Sequence, residues 1–259
     1  MTALLLILFG SLAIGSMVVS SVEDEINDRI EDAEDEYLDD EEIVYDEDEN
    51  YPENIDTLGY EVDGGDADER LTGTDDDDSM SGGAGNDTIR AGDGNDEIYD
   101  DFYEGVASGD DAFYGGSGDD TLTALDGADS LYGGLGNDEL VAIDVDVDVQ
   151  PDWVSGGYGN DTLVGDSGDV LLGGEGDDLF VVSRFDDADD PVQIADYEAS
   201  DTILVYVYQS GLLANDGTDV VEAVEHDDST AIYANGIELA RVEGPDHASL
   251  TFELIDVTA

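Results

Sequence analysis

GGSGDDTLT at residues 115–123 and GGLGNDELV at 133–141 are copies of one nine-residue phrase, which returns as GGAGNDTIR (82–90), GGYGNDTLV (156–164) and GGEGDDLFV (173–181). Each copy has Gly at the first, second and fourth places, Asp at the sixth and a large apolar residue at the eighth. In-phase copies of such a phrase mark an array of stacked units. Counting eighth places outward gives a ladder: Leu71, Met80, Ile89, Ile98, Phe113, Leu122, Leu131, Leu140, Val154, Leu163, Leu171 and Phe180. Most steps are nine residues, but those into Phe113 and Val154 are fifteen and fourteen, so insertions fall at about 100–106 and 142–150. The step into Leu171 is eight, one residue short. A strand of three residues between glycine turns cannot bury a face alone. Stacked, the strands share one apolar column.

The whole chain has 259 residues, with 71 Asp and Glu against 5 basic residues, all Arg, for a net charge of −66. Nucleic acid and anionic membrane are excluded as partners, because phosphate binding needs a cationic surface. Such a charge opposes compaction, so folding is expected to need cations; the acidity also serves solubility in a salty medium. The absence of Cys removes disulfides and thiolate metal sites. The 32 Gly fit a turn-rich architecture.

Each place in the turn has a chemical task. Glycines admit positive φ and let main-chain carbonyls converge without Cβ crowding. The sixth-place Asp adds a carboxylate to those carbonyls. An all-oxygen set suits Ca²⁺, which accepts about six to eight irregular ligands, whereas Mg²⁺ demands octahedral geometry and keeps its waters. Zinc is disfavoured because only His226 and His247 offer nitrogen, and neither lies in a repeat. Without ions the carboxylates would line up at the strand spacing of ~4.8 Å. Two unit charges at that distance repel by about 0.9 kcal/mol in water and by several times more when shielded from it. Several such pairs rival the ~5–15 kcal/mol net stability of a domain, so ion binding and folding are expected to be one event.

Residues 64–181 resemble the RTX (haemolysin-type) calcium-binding repeats, and residues 182–259 resemble the C-terminal cap of such domains. The resemblance implies an all-β fold: a right-handed parallel β-roll, or β-solenoid, with two nonapeptides per coil and a C-terminal β-rich cap. It places calcium ions in the turns, between repeats n and n+2. The sixth-place ligands it implies are Asp78, Asp87, Asp96, Asp111, Asp120, Asp129, Asp138, Asp152, Asp161 and Asp178, with Glu69 as a lesser one. Carbonyls of the turn glycines complete each site, at Gly83, Gly85, Gly92, Gly94, Gly116, Gly118, Gly134, Gly136, Gly157, Gly159, Gly174 and Gly176.

Pairing of alternate turns makes parity informative. If the repeat ending in Leu71 is zero, the odd turns carry Asp78, Asp96, Asp120, Asp138, Asp161 and Asp178, and from Asp96 onward they keep their glycines. Of the even turns only that of Asp87 matches fully. Asp111, Asp129 and Asp152 follow degenerate turns, and residues 165–170 read as having lost their register. A continuous ion row is therefore expected on the odd edge, with few or no ions on the even one.

Outside the repeats, residues 3–22 are uncharged and long enough to cross a membrane as a helix. The segment 1–22 reads equally as a membrane anchor or as a signal peptide cleaved after Gly15 or Ser20; both place the body outside the cytoplasm. Residues 23–63, dominated by Asp and Glu with Arg29 as the single base, read as an acidic disordered spacer. Residues 182–259 carry strand-like runs at 192–195, 201–208, 220–225, 230–234, 237–242 and 250–257, with Asn235-Gly236 as a hairpin signal.

No catalytic arrangement is present. There is no H-E-x-x-H and no G-x-S-x-G, and carboxylate pairs carry no information in so acidic a chain. His226 and His247 read as surface residues. Tyr114 and Tyr132 at ninth places, with Trp153 nearby and Phe102 and Tyr103 in an insertion, form an outward aromatic strip that either stabilises the ladder or binds carbohydrate or protein. The third places lack the regular Thr or Asn array of an ice-binding face. The sequence thus describes a non-enzymatic calcium-binding protein, secreted or at the cell surface, with calcium ions as its first partner.

Overall fold

The nine-residue period sends successive strands to opposite sides of the molecule, so odd and even repeats build separate sheets. A computed structural model of the protein describes residues 61–100, 109–144, 150–184, 190–207, 221–226, 228–234, 236–243 and 252–256. Residues 1–22, nearly all of the acidic spacer, Phe102, Tyr103 and His247 lie outside these. Among the described residues no helix is long and apolar enough to cross a membrane.

Strands are numbered in chain order. Sheet A runs β1 (Glu61–Asp63), β3 (Ser79–Ser81), β5 (Glu97–Tyr99), β7 (Thr121–Leu125), β9 (Glu139–Ile143), β11 (Thr162–Gly165), β13 (Leu179–Arg184), β15 (Thr202–Val207) and β19 (Phe252–Asp256). Sheet B runs β2 (Arg70–Thr72), β4 (Thr88–Asp93), β6 (Ala112–Ser117), β8 (Ser130–Leu135), β10 (Trp153–Tyr158), β12 (Val170–Glu175) and β14 (Val192–Ile194), then β18 (Ile237–Glu243), β17 (Ser229–Ala234) and β16 (Val221–Glu225). Every pairing is parallel except β16 with β17 and β17 with β18. The protein is therefore all-β and largely parallel, with the architecture of a β-roll.

The whole eighth-place ladder is buried, from Leu71 to Phe180, and it stands in register: Ile89 beside Phe113, Phe113 beside Leu131, Leu131 beside Val154 in sheet B. Burying each such side chain contributes about 1.5–3 kcal/mol, which stacking alone makes available. Two features extend the array beyond the sequence reading. Glu61–Asp63, read as the end of the spacer, forms β1, because Val62 sits nine residues before Leu71 and pairs with Met80. After Phe180 the column continues through Ile194, which pairs with Leu171, and Ile203, which pairs with Phe180. β17 and β18 form a hairpin: Ala234 pairs with Ile237, and Gly236 has φ +84°.

Up to β14 all extra residues enter after odd strands, in the connections β5 to β6, β9 to β10 and β13 to β14. In sheet B, β4, β6, β8, β10 and β12 run on without interruption into the next odd turn, so Gly92, Gly116, Gly134, Gly157 and Gly174 form one in-register row. On the outer side of the same sheet Tyr114 stacks on Tyr132 at 4.9 Å and 8° between planes, and the Arg90 guanidinium lies 4.7 Å from the Tyr114 ring centre. Trp153 is exposed on this side, and the third-place Leu135 and Tyr158 are exposed where β8 and β10 enter the next turn.

Truncating the column should be far more costly than trimming the surface. Leu131→Ala is expected to lose ~2–5 kcal/mol in the calcium-loaded protein, and Leu135→Ala to stay within ~0.5 kcal/mol, both read from denaturant midpoints.

Candidate metal centre

The sixth-place aspartates are buried next to the turns and do two jobs with their two oxygens. Oδ1 accepts a hydrogen bond from the main-chain N of the sixth-place residue one coil earlier. On the odd edge Asp96 holds Asp78 N at 2.8 Å, Asp120 holds Asp96 N at 2.9 Å and Asp138 holds Asp120 N at 2.9 Å. Asp161 then holds Asp138 N at 2.8 Å and Asp178 holds Asp161 N at 2.9 Å. The even edge carries an equally continuous row, in which Asp87, Asp111, Asp129 and Asp152 hold Glu69 N, Asp87 N, Asp111 N and Asp129 N. The register expected to be lost at 165–170 is kept: Asp169 holds Asp152 N at 2.9 Å. The missing residue was taken from the turn before Asp169, so its offset from Leu171 is unchanged.

Oδ2 has a different fate. In Asp87, Asp96, Asp111, Asp120, Asp129, Asp138 and Asp161 it is buried and finds no hydrogen-bond donor in the protein. A buried oxygen of this kind carries a large desolvation cost unless a proton or a cation meets it.

Main-chain carbonyls converge on the same places, most regularly along the odd edge. Gly116 has φ +122° and Gly118 φ +133°, a region that side chains disfavour. A Cβ on Gly116 would be driven into the Gly92 carbonyl, and one on Gly118 into the Gly94 carbonyl. The relation repeats for Gly134 on Gly116, Gly136 on Gly118, Gly157 on Gly134, Gly159 on Gly136, Gly174 on Gly157 and Gly176 on Gly159. Two rows of carbonyls thus face the next turn all along this edge. On the even edge Gly83 and Gly85 make the same approach to Gly65 and Ala67, and Gly127 to Gly109, with no continuous pair of rows.

A second ladder lies outside the first, at fifth places the sequence reading passed over. Asn95 N donates to Asp77 Oδ1, Asp119 N to Asn95 Oδ1, Asn137 N to Asp119 Oδ1, Asn160 N to Asn137 Oδ1 and Asp177 N to Asn160 Oδ1, at 2.7–3.0 Å. It runs opposite to the sixth-place ladder, from later coil to earlier. On the even edge Ala128 N donates to Asp110 Oδ1, and the row stops there because Ala128 has no side-chain acceptor. The recurring Asn or Asp before each sixth-place Asp was the available signal.

Other carboxylates were also missed. Asp201 holds Asp178 N at 3.0 Å and so carries the odd row one coil further; its position two residues before Ile203 made it legible. Asp196 accepts from Gly173 N and Gly174 N at 2.9 and 3.0 Å. Asp144, at the base of the second insertion, accepts from Gln150 N at 2.7 Å, and its own N donates to Asp166 Oδ2. His226 is exposed in the hairpin region, away from the turns.

The electrostatics follow from burial. Desolvation, with the neighbouring carboxylates adding to it, pushes Asp96, Asp120, Asp138, Asp161 and Asp178 up to about 6 against main-chain hydrogen bonds that pull down. Asp87 and Asp111 are raised to about 7 and Asp129 to about 9 for the same reason, with Asp100 among the charges bearing on all three. Asp152 and Asp169, deeper still, are raised as a coupled pair, first by burial.

Such turns fit a hard, oxygen-seeking cation. Unpaired carboxylate oxygens and facing carbonyl rows are what Ca²⁺ takes as ligands. Among the described residues no three His, Asp or Glu side chains converge to hold a metal, so the main chain must supply much of the coordination. Fold and turn chemistry together define a calcium-binding β-roll. The family model of the RTX calcium-binding nonapeptide repeat matches residues 63–98, 107–140 and 155–187, leaving out the first two insertions. Over these residues the chain is similar to that repeat, and the repeats form a calcium-binding structural or interaction module. No curated relative matches the chain.

Two outcomes test the site. In chelator, protons should replace ions. Carboxyls raised in the folded state bind protons more tightly there, so their stabilisation is full below the unfolded value of about 4 and is lost as pH rises through about 6 on the odd edge and about 9 at Asp129. Acidifying the metal-free protein should therefore raise its β signal in circular dichroism, and adding calcium near neutral pH should release protons. Gly118→Ala should shift the calcium midpoint strongly upward. Gly168→Ala, also at positive φ (+98°) but with only ordinary contacts around a Cβ, should shift it less.

Proposed function

We propose that calcium ions line the odd edge, that their binding is the folding step, and that the protein works outside the cytoplasm as a secreted or surface-tethered module. The observation that carries this reading is the pair of carbonyl rows along the odd turns from Gly92 to Gly176, beside carboxylate oxygens without donors. In this reading the ions are held by Asp96, Asp120, Asp138, Asp161 and Asp178 with carbonyls of the turn glycines. Asp87, in the one even turn with a full glycine set, is the even-edge ligand best provided for. Asp111 and Asp129 keep the carboxylate and lack that cradle. The coil hand is right, as in nearly all parallel strand crossovers, and β16–β18 serve as the cap that a stack of open strand edges needs.

Placement outside the cytoplasm is supported by the uncharged run 3–22 and by the calcium level there. Extracellular modules work with dissociation constants on the order of 10⁻⁴–10⁻³ M, so weak sites fill after export and the chain stays unfolded before it. An anchor or a cleaved signal at 1–22 serves equally.

Calcium titration of the full chain by circular dichroism, with ion stoichiometry, tests the proposal. Asp120→Ala and Asp138→Ala should each raise the calcium midpoint well above that of Asp129→Ala or Asp152→Ala. Equal losses on both edges would overturn the asymmetry, and a full β signal in chelator at neutral pH would overturn the coupling.

A further inference from the structure

From Gly64 to Gly173 every first place of the repeats holds Gly or Ala except one, which holds Asp100. First places face inward: Ala124 and Ala142 are register partners in sheet A, and both belong to the core. Asp100 enters that row, since Tyr99 pairs with Thr123 and Asp100 N donates to Thr123 O at 2.9 Å. Its side chain is buried, at 5% exposure. A carboxylate turned toward the core carries a large desolvation cost.

The sixth-place oxygen aims at the same spot. In intact turns a Cβ at the first place would run into Oδ2 of the sixth-place Asp, as at Gly82 with Asp87, Gly115 with Asp120 and Gly133 with Asp138. Asp111 is the sixth-place residue of the turn that Asp100 opens, and its Oδ2 is buried with no donor among the described residues. The first insertion lies between the two in sequence, but register keeps them together. Asp100 stands one coil before Ala124, and Asp111, whose N donates to Asp129 Oδ1 at 2.8 Å, stands one coil before Asp129. Ala124 and Asp129 are the first and sixth places of the next even turn. Burial is the first cause of the raised Asp111 pKa, and among the charges that add to it Asp100 comes ahead of Asp87 and Asp110. From the preceding coil, the Gly85 carbonyl faces Gly109 of this turn.

We propose that Asp100 and Asp111 together form a two-carboxylate site for a hard cation, with main-chain oxygens completing its ligands. No third acid converges there among the described residues, so the main chain of the intact 82–87 turn is the nearest source of further oxygens. This site differs in kind from those of the odd edge, where each turn offers one inward carboxylate and its glycine carbonyls. The repeat pattern does not contain it, because Asp100 replaces the glycine that the pattern requires. Greater ligand charge tunes a calcium site toward tighter binding, and it favours a trivalent ion most. The other first-place acid, Asp196 beyond the repeats, uses both oxygens on Gly173 N and Gly174 N and is not equivalent. The proposal rests on the calcium reading of the repeats and adds an ion on the even edge to the row on the odd one.

Bound calcium is counted by equilibrium dialysis of the full chain at saturating calcium and neutral pH. Asp100→Asn, which keeps the shape and removes the charge, should hold one ion fewer than the wild type with the same β signal in circular dichroism. Asp110→Asn, which removes an exposed charge beside Asp111, should leave the count unchanged. A second readout leaves both carboxylates in place and decides the matter should Asp100→Asn not fold. Tb³⁺ added to the calcium-loaded chain should go first to the site with more ligand charge, where Tyr99 sensitises its emission. Tyr99→Phe should then remove most of the emission of the first equivalent, and Tyr158→Phe, beside an odd turn, should not. The proposal is overturned if Asp100→Asn folds and binds as many ions as the wild type, or if the first Tb³⁺ is sensitised through Tyr158 and not Tyr99. A wild-type chain that binds no calcium overturns the calcium reading as well, which separates the two failures.

Discussion

Through most of the stack, coil is tied to coil by a carboxylate that is only half satisfied. In Asp87, Asp96, Asp111, Asp120, Asp129, Asp138 and Asp161, Oδ1 holds the main chain of the preceding coil, which fixes the group inside the turn, while Oδ2 is buried without a donor. The bond that builds the stack thus creates the charge that threatens it. Burial first, with neighbouring carboxylates adding to it, lifts these carboxyls far above their usual range, most at Asp129. A proton or a cation must meet each oxygen. At neutral pH calcium is the better of the two, since it takes several oxygens at once and uses the carbonyls that the glycines leave open. The apolar column from Leu71 to Phe180 would stack under either neutraliser, so it supplies stability while the turns supply the condition for it.

The two edges share the carboxylate ladder and differ in everything around it. Along the odd edge, carbonyls, glycines and the outer Asn/Asp ladder repeat without a break, and no residue is inserted there. An extra residue would pull one turn's carbonyls away from the glycines they face. The even edge bears every long connection of the repeats, and its carboxylates lie deeper and interact more strongly with one another. Sheet B's outer side differs from both: its seventh, ninth and second places hold no acid and carry the glycine row, the Tyr114–Tyr132 stack and the exposed Trp153. Regularity on one edge thus leaves the other edge and one face open to variation.

Much of this was legible in residue spacing. A nine-residue period with an apolar eighth place has one economical solution, a shared column, and all twelve ladder positions lie in it. The same count applied further would have reached Val62, Asp169 and Asp201, each at its proper offset. They were overlooked because a degenerate turn hides an intact strand: the eye follows glycines, whereas register is held by the Asp and the apolar residue two places on. Strand runs after residue 181 were readable as strands, but their parallel addition to both sheets was not, since β18 and β19 pair with strands laid down much earlier.

By itself the sequence determined the repeat, the column, the carboxylate at each turn and the affinity for a hard oxygen-loving ion, because those depend on residues within one nonapeptide. Tertiary structure alone decided which oxygen is tied and which is left unpaired, that the fifth-place ladder runs against the sixth, and that Tyr114 and Tyr132 turn their faces to each other. Those properties arise between residues 17 to 24 apart. Coil rise and lateral register set the distances there, and a period read along the chain does not contain them.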